Sequence, residues 1–217
     1  MNVIECIQGD STWFESRLGM LTGSRIADAL SKLKNGGESA TRRNMMIDLA
    51  IERITGKPTE HYVSEPMQRG LDLEPLALAA YELRTESEVE RVGFVLHPRI
   101  QWAGCSPDGL VGAGLVQAKC PLPRTHANYL LAGCVPQEYV PQMMWELACT
   151  EKPWSDFISF CPEFPSPLDL LVCRLERDDA KIAEMEAEAV KFLKDVEVTV
   201  TQLREGLEGV LKMSAAK

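Results

Sequence analysis

Two short runs gather residues able to do chemistry: Ser106-Pro107-Asp108-Gly109, and Leu115-Val116-Gln117-Ala118-Lys119. Side chains alternate along a strand, so Gln117 and Lys119 project from one face and Val116 and Ala118 from the other. A carboxamide and an ammonium on an otherwise apolar strand are costly to bury unless they find partners. Between the runs lies Gly112-Ala113-Gly114, a turn that would fold Asp108 back toward Gln117 in an antiparallel hairpin. An acid, a carboxamide and an ammonium so gathered offer oxygen ligands and a cationic donor in one place. Alone, the same pattern also fits a hairpin with a satisfied polar face.

The elements that must position this group follow from periodicity. Helical spacing or end signals mark 11–19, 22–34, 41–55 and 66–83. In the first, Ser11 is the expected N-cap, with Glu15 near the capping-box position. In the last, Leu71, Leu76, Leu78 and Tyr81 make the expected apolar side. The period then changes. Short strands are expected at 89–96, 100–103, 109–111 and 115–118, then helices at 124–132 and 137–149, then strands at 154–161 and 168–173. A long charged helix over 178–211, interrupted near 196–200, closes the chain. The expected organisation is one α/β domain: a helical part (1–85), a mixed sheet core flanked by helices (86–175) and a C-terminal helix (176–217).

Composition sets bounds. The chain has 217 residues, 45% hydrophobic and 25% charged, enough to bury a sizeable core. MNVIECIQGD lacks a basic segment followed by an apolar run, and no window approaches membrane-spanning length. No membrane partner is therefore expected, and the cytoplasm is the expected compartment. Seven scattered cysteines form no CxxC pair, and His61, His97 and His126 do not cluster. Free buried thiols are expected rather than a zinc site or disulfides. The net charge of −9 argues against contact with nucleic acid, but the charge is segregated. Acids concentrate in 82–90 and toward the C-terminus, whereas Arg17, Arg25, Lys32, Lys34, Arg42 and Arg43 recur early. A basic groove thus remains open to the fold.

Further segments extend the pattern in order: Trp13, Arg17-Leu18-Gly19, Thr22-Gly23-Ser24, Met67-x-Arg69-Gly70-x-x-x-Glu74-Pro75 with Ala77 and Tyr81, Lys119-Cys120-Pro121, and Tyr139-x-x-Gln142. Together with Cys105-Ser106-Pro107-Asp108-Gly109, they resemble the lambda-exonuclease-like, YqaJ-type phage recombinases of the PD-(D/E)xK nuclease superfamily. The resemblance spans 13–142, and the C-terminal third adds no signature.

The resemblance implies a restriction-endonuclease-like α/β fold. It also implies an alkaline-type deoxyribonuclease, phage or prophage encoded, digesting linear double-stranded DNA from the 5′ end and leaving 3′ overhangs. Mg2+, with Mn2+ as substitute, is the implied cofactor, and hard oxygen ligands suit it. Asp108, the residue at 117, the Ala118 carbonyl and Glu74 are the implied ligand set. Lys119 is implied to orient or deprotonate the attacking water or to stabilise developing charge. Arg17 and Ser24 resemble the pocket for a 5′ phosphate, Met67 a wedge at the terminal base pair, and Tyr139 and Gln142 the active-site helix. The implied partners are duplex ends carrying a 5′ phosphate, a single-strand annealing protein and two further copies in a ring-shaped homotrimer. Glu184, Glu186 and Glu188 offer either a docking face for a basic partner or a solvated helix face.

One departure matters. Gln117 stands where the motif has Asp or Glu. Gln matches Glu in shape but lacks its charge and presents one ligating oxygen, so an impaired centre is expected. The change fits an inactivating replacement that traps uncleaved DNA, or a natural member with altered metal use; a single exchange in an otherwise intact motif favours the former. Two other readings stand beside the exonuclease: an endonuclease of the same fold, and a non-catalytic DNA-binding or assembly module.

Overall fold

The strand-forming residues cluster in the middle of the chain, and glycines cut them into short runs. In the computed structural model, residues 1–59 and 64–215 are described, with side chains to residue 206; His61 lies outside that set. The strands form two four-stranded sheets, each with one parallel pair. The first contains β1 (Asn2–Ile4), β2 (Leu21–Thr22), β3 (Phe94–Leu96) and β4 (Ala103–Cys105) in the order β1-β3-β4-β2, with β2 and β4 parallel. The second contains β5 (Gly109–Val111), β6 (Gly114–Lys119), β7 (Trp154–Phe160) and β8 (Leu170–Glu176) in chain order, with β6 and β7 parallel. The turn carrying Asp108 runs between the two sheets.

The expected hairpin is β5–β6, with Gly109 opposite Val116. Val116 and Ala118 enter a small core with Ala77, Leu78 and Tyr81, while Leu115 faces the main core with Phe157. This is the alternation read from the sequence.

The cap of helix α1 (Ser11–Ser16) lies one residue before the expected one. The Asp10 carboxylate accepts the Trp13 N–H at 2.7 Å, so Ser11 is the first helical residue and not the cap. The region 22–34 is not one helix. Leu21–Thr22 pairs with β4, Gly23–Arg25 forms a 3-10 turn, and only α2 (Ile26–Ala29) is helical. Strand pairing with a segment some eighty residues away wins over local propensity there. Helix α3 (Ala40–Thr55) is capped by Ser39 and ends at Gly56 with φ 64°.

Helix α4 (Glu65–Thr85) buries Ala77, Leu78 and Tyr81. Leu71 and Leu76, expected on its apolar side, are 62% and 56% exposed. Helices α5 (Pro123–Ala132) and α6 (Val140–Thr150) follow β6.

Helix α7 (Asp179–Ala215) is continuous where an interruption was expected. Val196 and Val200, one turn apart, are both buried in the main core, and that packing outweighs the modest helix cost of β-branched residues. No helix among the described residues is long and apolar enough to cross a membrane. All seven cysteines are free; Cys105, Cys120, Cys149 and Cys161 are buried, whereas Cys134 is exposed.

The early basic residues are less available than their spacing suggests. Arg25 pairs with Glu52 at 2.7 Å, Lys32 with Glu188 at 2.7 Å, and Arg42 with both Glu38 and Asp195. The acidic face of α7 is engaged too: Glu186 takes Arg99 at 2.6 Å, and Glu188 takes Lys32 and Lys191. Glu186 and Glu188 thus serve the fold, which weakens the docking-face reading.

Candidate active site

The β5–β6 hairpin brings Asp108 onto Gln117 and Ala118. Asp108 Oδ2 accepts the Ala118 backbone N–H at 2.7 Å and the Gln117 side-chain N–H. The Gln117 oxygen turns the other way, toward α6. There Oε1 accepts from Gln142 Nε2 at 2.9 Å, and the same nitrogen donates to Glu146 Oε1 at 2.9 Å. A directional chain therefore runs from α6 to the hairpin: the Gln142 amide donates to Glu146 and Gln117, and the Gln117 amide donates to Asp108. Gln117 is fully buried, so each of these bonds satisfies a group that water cannot reach.

Burial pushes the Asp108 carboxyl up to about 6, with Glu74 adding to the rise and Lys119, the Ala118 N–H and Arg91 opposing it. Burial, then the Asp108 charge, pushes Glu146 up to about 8. Glu74, on α4, reaches the same place. Its Oε1 accepts from Arg91 Nη1 at 2.6 Å, and that nitrogen also donates to the Asp108 carbonyl at 3.2 Å. Lys119 makes no ion pair with Asp108; its Nζ lies 5.2 Å from the centre of the Tyr139 ring. Tyr139 in turn stacks on Phe157 at 5.4 Å and packs against the main core, so its ring has a structural task as well as a place beside Lys119.

Arg17 lies on the other side of the Asp108 turn. Its Nη1 donates to Ser106 Oγ at 2.9 Å, Trp13 Nε1 donates to the same oxygen at 2.8 Å, and the guanidinium covers the Trp13 ring at 4.1 Å. Burial, then Arg25, brings the Arg17 guanidinium down to about 10. Ser24 caps no helix; its exposed hydroxyl lies in the 3-10 turn that packs on α6, 3.3 Å from Thr22 Oγ1. Met67 is 55% exposed. It lines a cleft of about 900 Å3 with Ile7, Phe14, Leu71, Glu74 and Arg91.

The structure thus gathers Asp108, Gln117, Ala118, Lys119, Glu74, Tyr139 and Gln142 around one hairpin, with Arg17 bound to Ser106 beside it and Met67 in the cleft that Glu74 and Arg91 also line. Arg91 and Glu146 belong to the same constellation and were not singled out from the sequence. Glu146 had a signal: with Gln142 it makes an i, i+4 polar pair on a helix that is otherwise nearly all apolar. Arg91 had none, because only the fold brings it to Glu74.

The donors Asp108, Glu74, the Gln117 carboxamide and the Ala118 carbonyl are all hard oxygens, which is the chemistry Mg2+ prefers. The charge count falls short. Gln117 presents an N–H to Asp108 where a carboxylate would present an oxygen, and among the described residues no three His, Cys, Asp or Glu side chains converge on a point. This donor set does not fit a tightly held divalent cation as it stands, and a carboxylate at 117 is what it lacks.

The YqaJ-like viral recombinase domain model matches residues 12–153, a span that contains every site residue named above. The chain belongs to the YqaJ-like viral recombinase family. Among solved structures, this chain is similar to the alkaline exonuclease LHK-Exo from Laribacter hongkongensis, at 39% identity, TM-score 0.85, 93% of this chain and 100% of that one. It matches LHK-Exo in complex with dAMP to the same extent. A phage-related exonuclease from Haemophilus somnus 129PT, at 12% identity, shares the fold with TM-score 0.66, over 85% of this chain and 96% of that one. No curated protein sequence matches. The fold of this chain is thus the exonuclease fold of the PD-(D/E)xK superfamily, and its family points to a nuclease.

Proposed function

We propose that this protein is a divalent-metal-dependent exonuclease that removes nucleotides from the 5′ end of linear double-stranded DNA, leaving 3′ overhangs for a single-strand annealing partner, and that Gln117 impairs it. The observation that carries the reading is the meeting of Asp108, residue 117 and Lys119 on one hairpin, with Glu74 and Arg91 closing the same place from α4 and the β3 approach. A relative that is an alkaline exonuclease and binds dAMP supports a deoxynucleotide chain as substrate.

In this reading Asp108, a carboxylate at 117, the Ala118 carbonyl and Glu74 would hold Mg2+, with Mn2+ as substitute, and the ion would supply a Lewis acid for the scissile phosphate and the attacking water. The remaining work belongs to side chains. Lys119 orients the water and meets developing negative charge. Arg17 forks onto the terminal 5′ phosphate, and the exposed Ser24 hydroxyl adds a donor. Met67 and the apolar cleft beside it part the terminal base pair, and Tyr139 and Gln142 hold the hairpin's polar face. The host cytoplasm is the proposed compartment.

One observation favours a second reading. The Gln117 amide already satisfies Asp108, which is what a non-catalytic DNA-binding or assembly module would need. The Gln117→Glu protein separates the readings on three substrates in Mg2+: duplex labelled at the 5′ end, duplex labelled at the 3′ end, and a covalently closed circle. The proposal expects early release of the 5′ label, late release of the 3′ label and an intact circle. A cut circle would make the protein an endonuclease; three untouched substrates would make it a module.

A further inference from the structure

Helix α6 packs Met143, Met144, Trp145, Leu147 and Ala148 into the core, yet it also buries Glu146, which is 1% exposed. A carboxyl in that position is costly unless its bonds are needed, and an apolar residue would fill the space without the penalty. Only half of its capacity is used. Oε1 accepts from Gln142 Nε2, while Oε2 is buried with no partner. The side chain has little room to move: a Cβ on Gly23 would come within 3.3 Å of Oε1 and 3.4 Å of the Glu146 Cγ.

What Glu146 does for Gln142 follows from amide chemistry. A carboxamide presents an oxygen on one side and an NH2 on the other, and the two orientations have nearly the same shape. Gln142 has its NH2 toward both Glu146 and Gln117. Turned over, it would set its oxygen against Glu146 Oε1 and against Gln117 Oε1, losing both bonds. Oε1 stays an acceptor when the carboxyl is charged and when it carries its proton on the unpartnered Oε2, so Glu146 selects one orientation. That orientation fixes the oxygen of residue 117 toward α6 and leaves its other terminal atom facing Asp108.

We propose that Glu146 is a positioning residue: by accepting one Gln142 N–H it directs the other onto the oxygen of residue 117, and so decides which atom of residue 117 faces Asp108. In the present chain that atom is the amide nitrogen. With glutamate at 117 it becomes the second carboxylate oxygen, aimed with Asp108 at the place where the proposed function requires a cation. The effect on turnover rests on that function; the effect on the amides does not.

The test has two arms. In the unsubstituted chain, the side-chain amide 1H–15N resonances of Gln142 and Gln117 are assigned by their loss in Gln142→Leu and Gln117→Leu. The proposal expects slowly exchanging Gln142 amide protons that survive Glu146→Gln, which keeps a carbonyl acceptor, and exchange about tenfold faster or more in Glu146→Leu, which removes it. In the Gln117→Glu background, Glu146→Leu should lower kcat about tenfold with KM for duplex ends within about twofold, and Glu146→Gln should keep at least about a third of kcat. Once Gln142 is Leu, adding Glu146→Leu should change nothing more. Thermal midpoints identify any variant that has not folded. Should Glu146→Leu not fold, the near-isosteric and uncharged Glu146→Met takes its place in both arms. Amide exchange unmoved by Glu146→Leu overturns the proposal whether or not the enzyme cleaves. An inert Gln117→Glu parent counts against the nuclease reading and leaves the positioning role to the amide arm.

Discussion

Gln117 differs from a glutamate by one NH2 in place of one oxygen, and that exchange reverses what Asp108 faces. An N–H donor satisfies the carboxylate and relieves any need for a cation; an oxygen would repel it until a cation lay between them. Burial still pushes Asp108 up to about 6, with the nearby Glu74 adding to it, so the place is already electrostatically tense with one charge missing. Arg17 offers a second test at this scale. It is largely withdrawn from water, held by Ser106 and stacked on Trp13, and it forms no ion pair with a carboxylate among the described residues. In the Gln117→Glu background, Arg17→Ala should slow digestion of 5′-phosphorylated ends about tenfold more than of 5′-hydroxyl ends, the loss of one charge-assisted fork. Rates on the two substrates, measured side by side, check it; equal slowing would take Arg17 out of the phosphate pocket.

Among the elements, the hairpin was the most legible because its information is local: a period of two along 115–119, and a glycine-bounded turn that leaves Asp108 opposite. Strands β1 and β2 were not legible, since each pairs with a segment some eighty or ninety residues away and carries too few residues for a pattern. Leu71 misled because a helix beside an apolar cleft has two apolar faces, and only one belongs to the core; Leu76 is exposed and belongs to neither. Glu146 could have been seen as an oddity on an apolar helix, but not its partner. Glu52 shows how the elements are tied together. On α3, it accepts the Arg25 fork, the Gly19 N–H and the Thr59 hydroxyl. Burial alone would raise its carboxyl; those partners hold it at about 2 instead of 4.5. A depressed carboxylate contributes stability that is complete above its unfolded pKa and lost as pH falls through the folded one. Here that contribution is on the order of 3 kcal/mol. Thermal midpoints should therefore drop between pH 4.5 and pH 2, and Glu52→Gln should be less stable at pH 6 with a flatter slope over that window. Parallel curves for the two proteins would remove Glu52 as the cause.

For the whole molecule the open question is the net charge of −9 on a protein proposed to hold DNA. Three of the early basic residues, Arg25, Lys32 and Arg42, are spent on internal pairs and so are withdrawn from a phosphate backbone. A closed ring, which we propose, would answer this by turning basic residues to a central channel and acids outward, so that topology keeps the duplex from leaving. Light scattering should therefore give a homotrimer near three times the 24.1 kDa chain mass; a stable monomer at micromolar concentration, with and without DNA, would rule the ring out. The account as a whole depends on the hairpin's being a nuclease centre short of one charge. The most direct measurement is the initial rate of nucleotide release from linear 5′-phosphorylated duplex in Mg2+, for the chain as it stands and for Gln117→Glu. A carboxylate at 117 should raise that rate on the order of a hundredfold or more, and chelation should abolish the gain. A folded Gln117→Glu protein that releases nucleotides no faster than its parent would contradict the account.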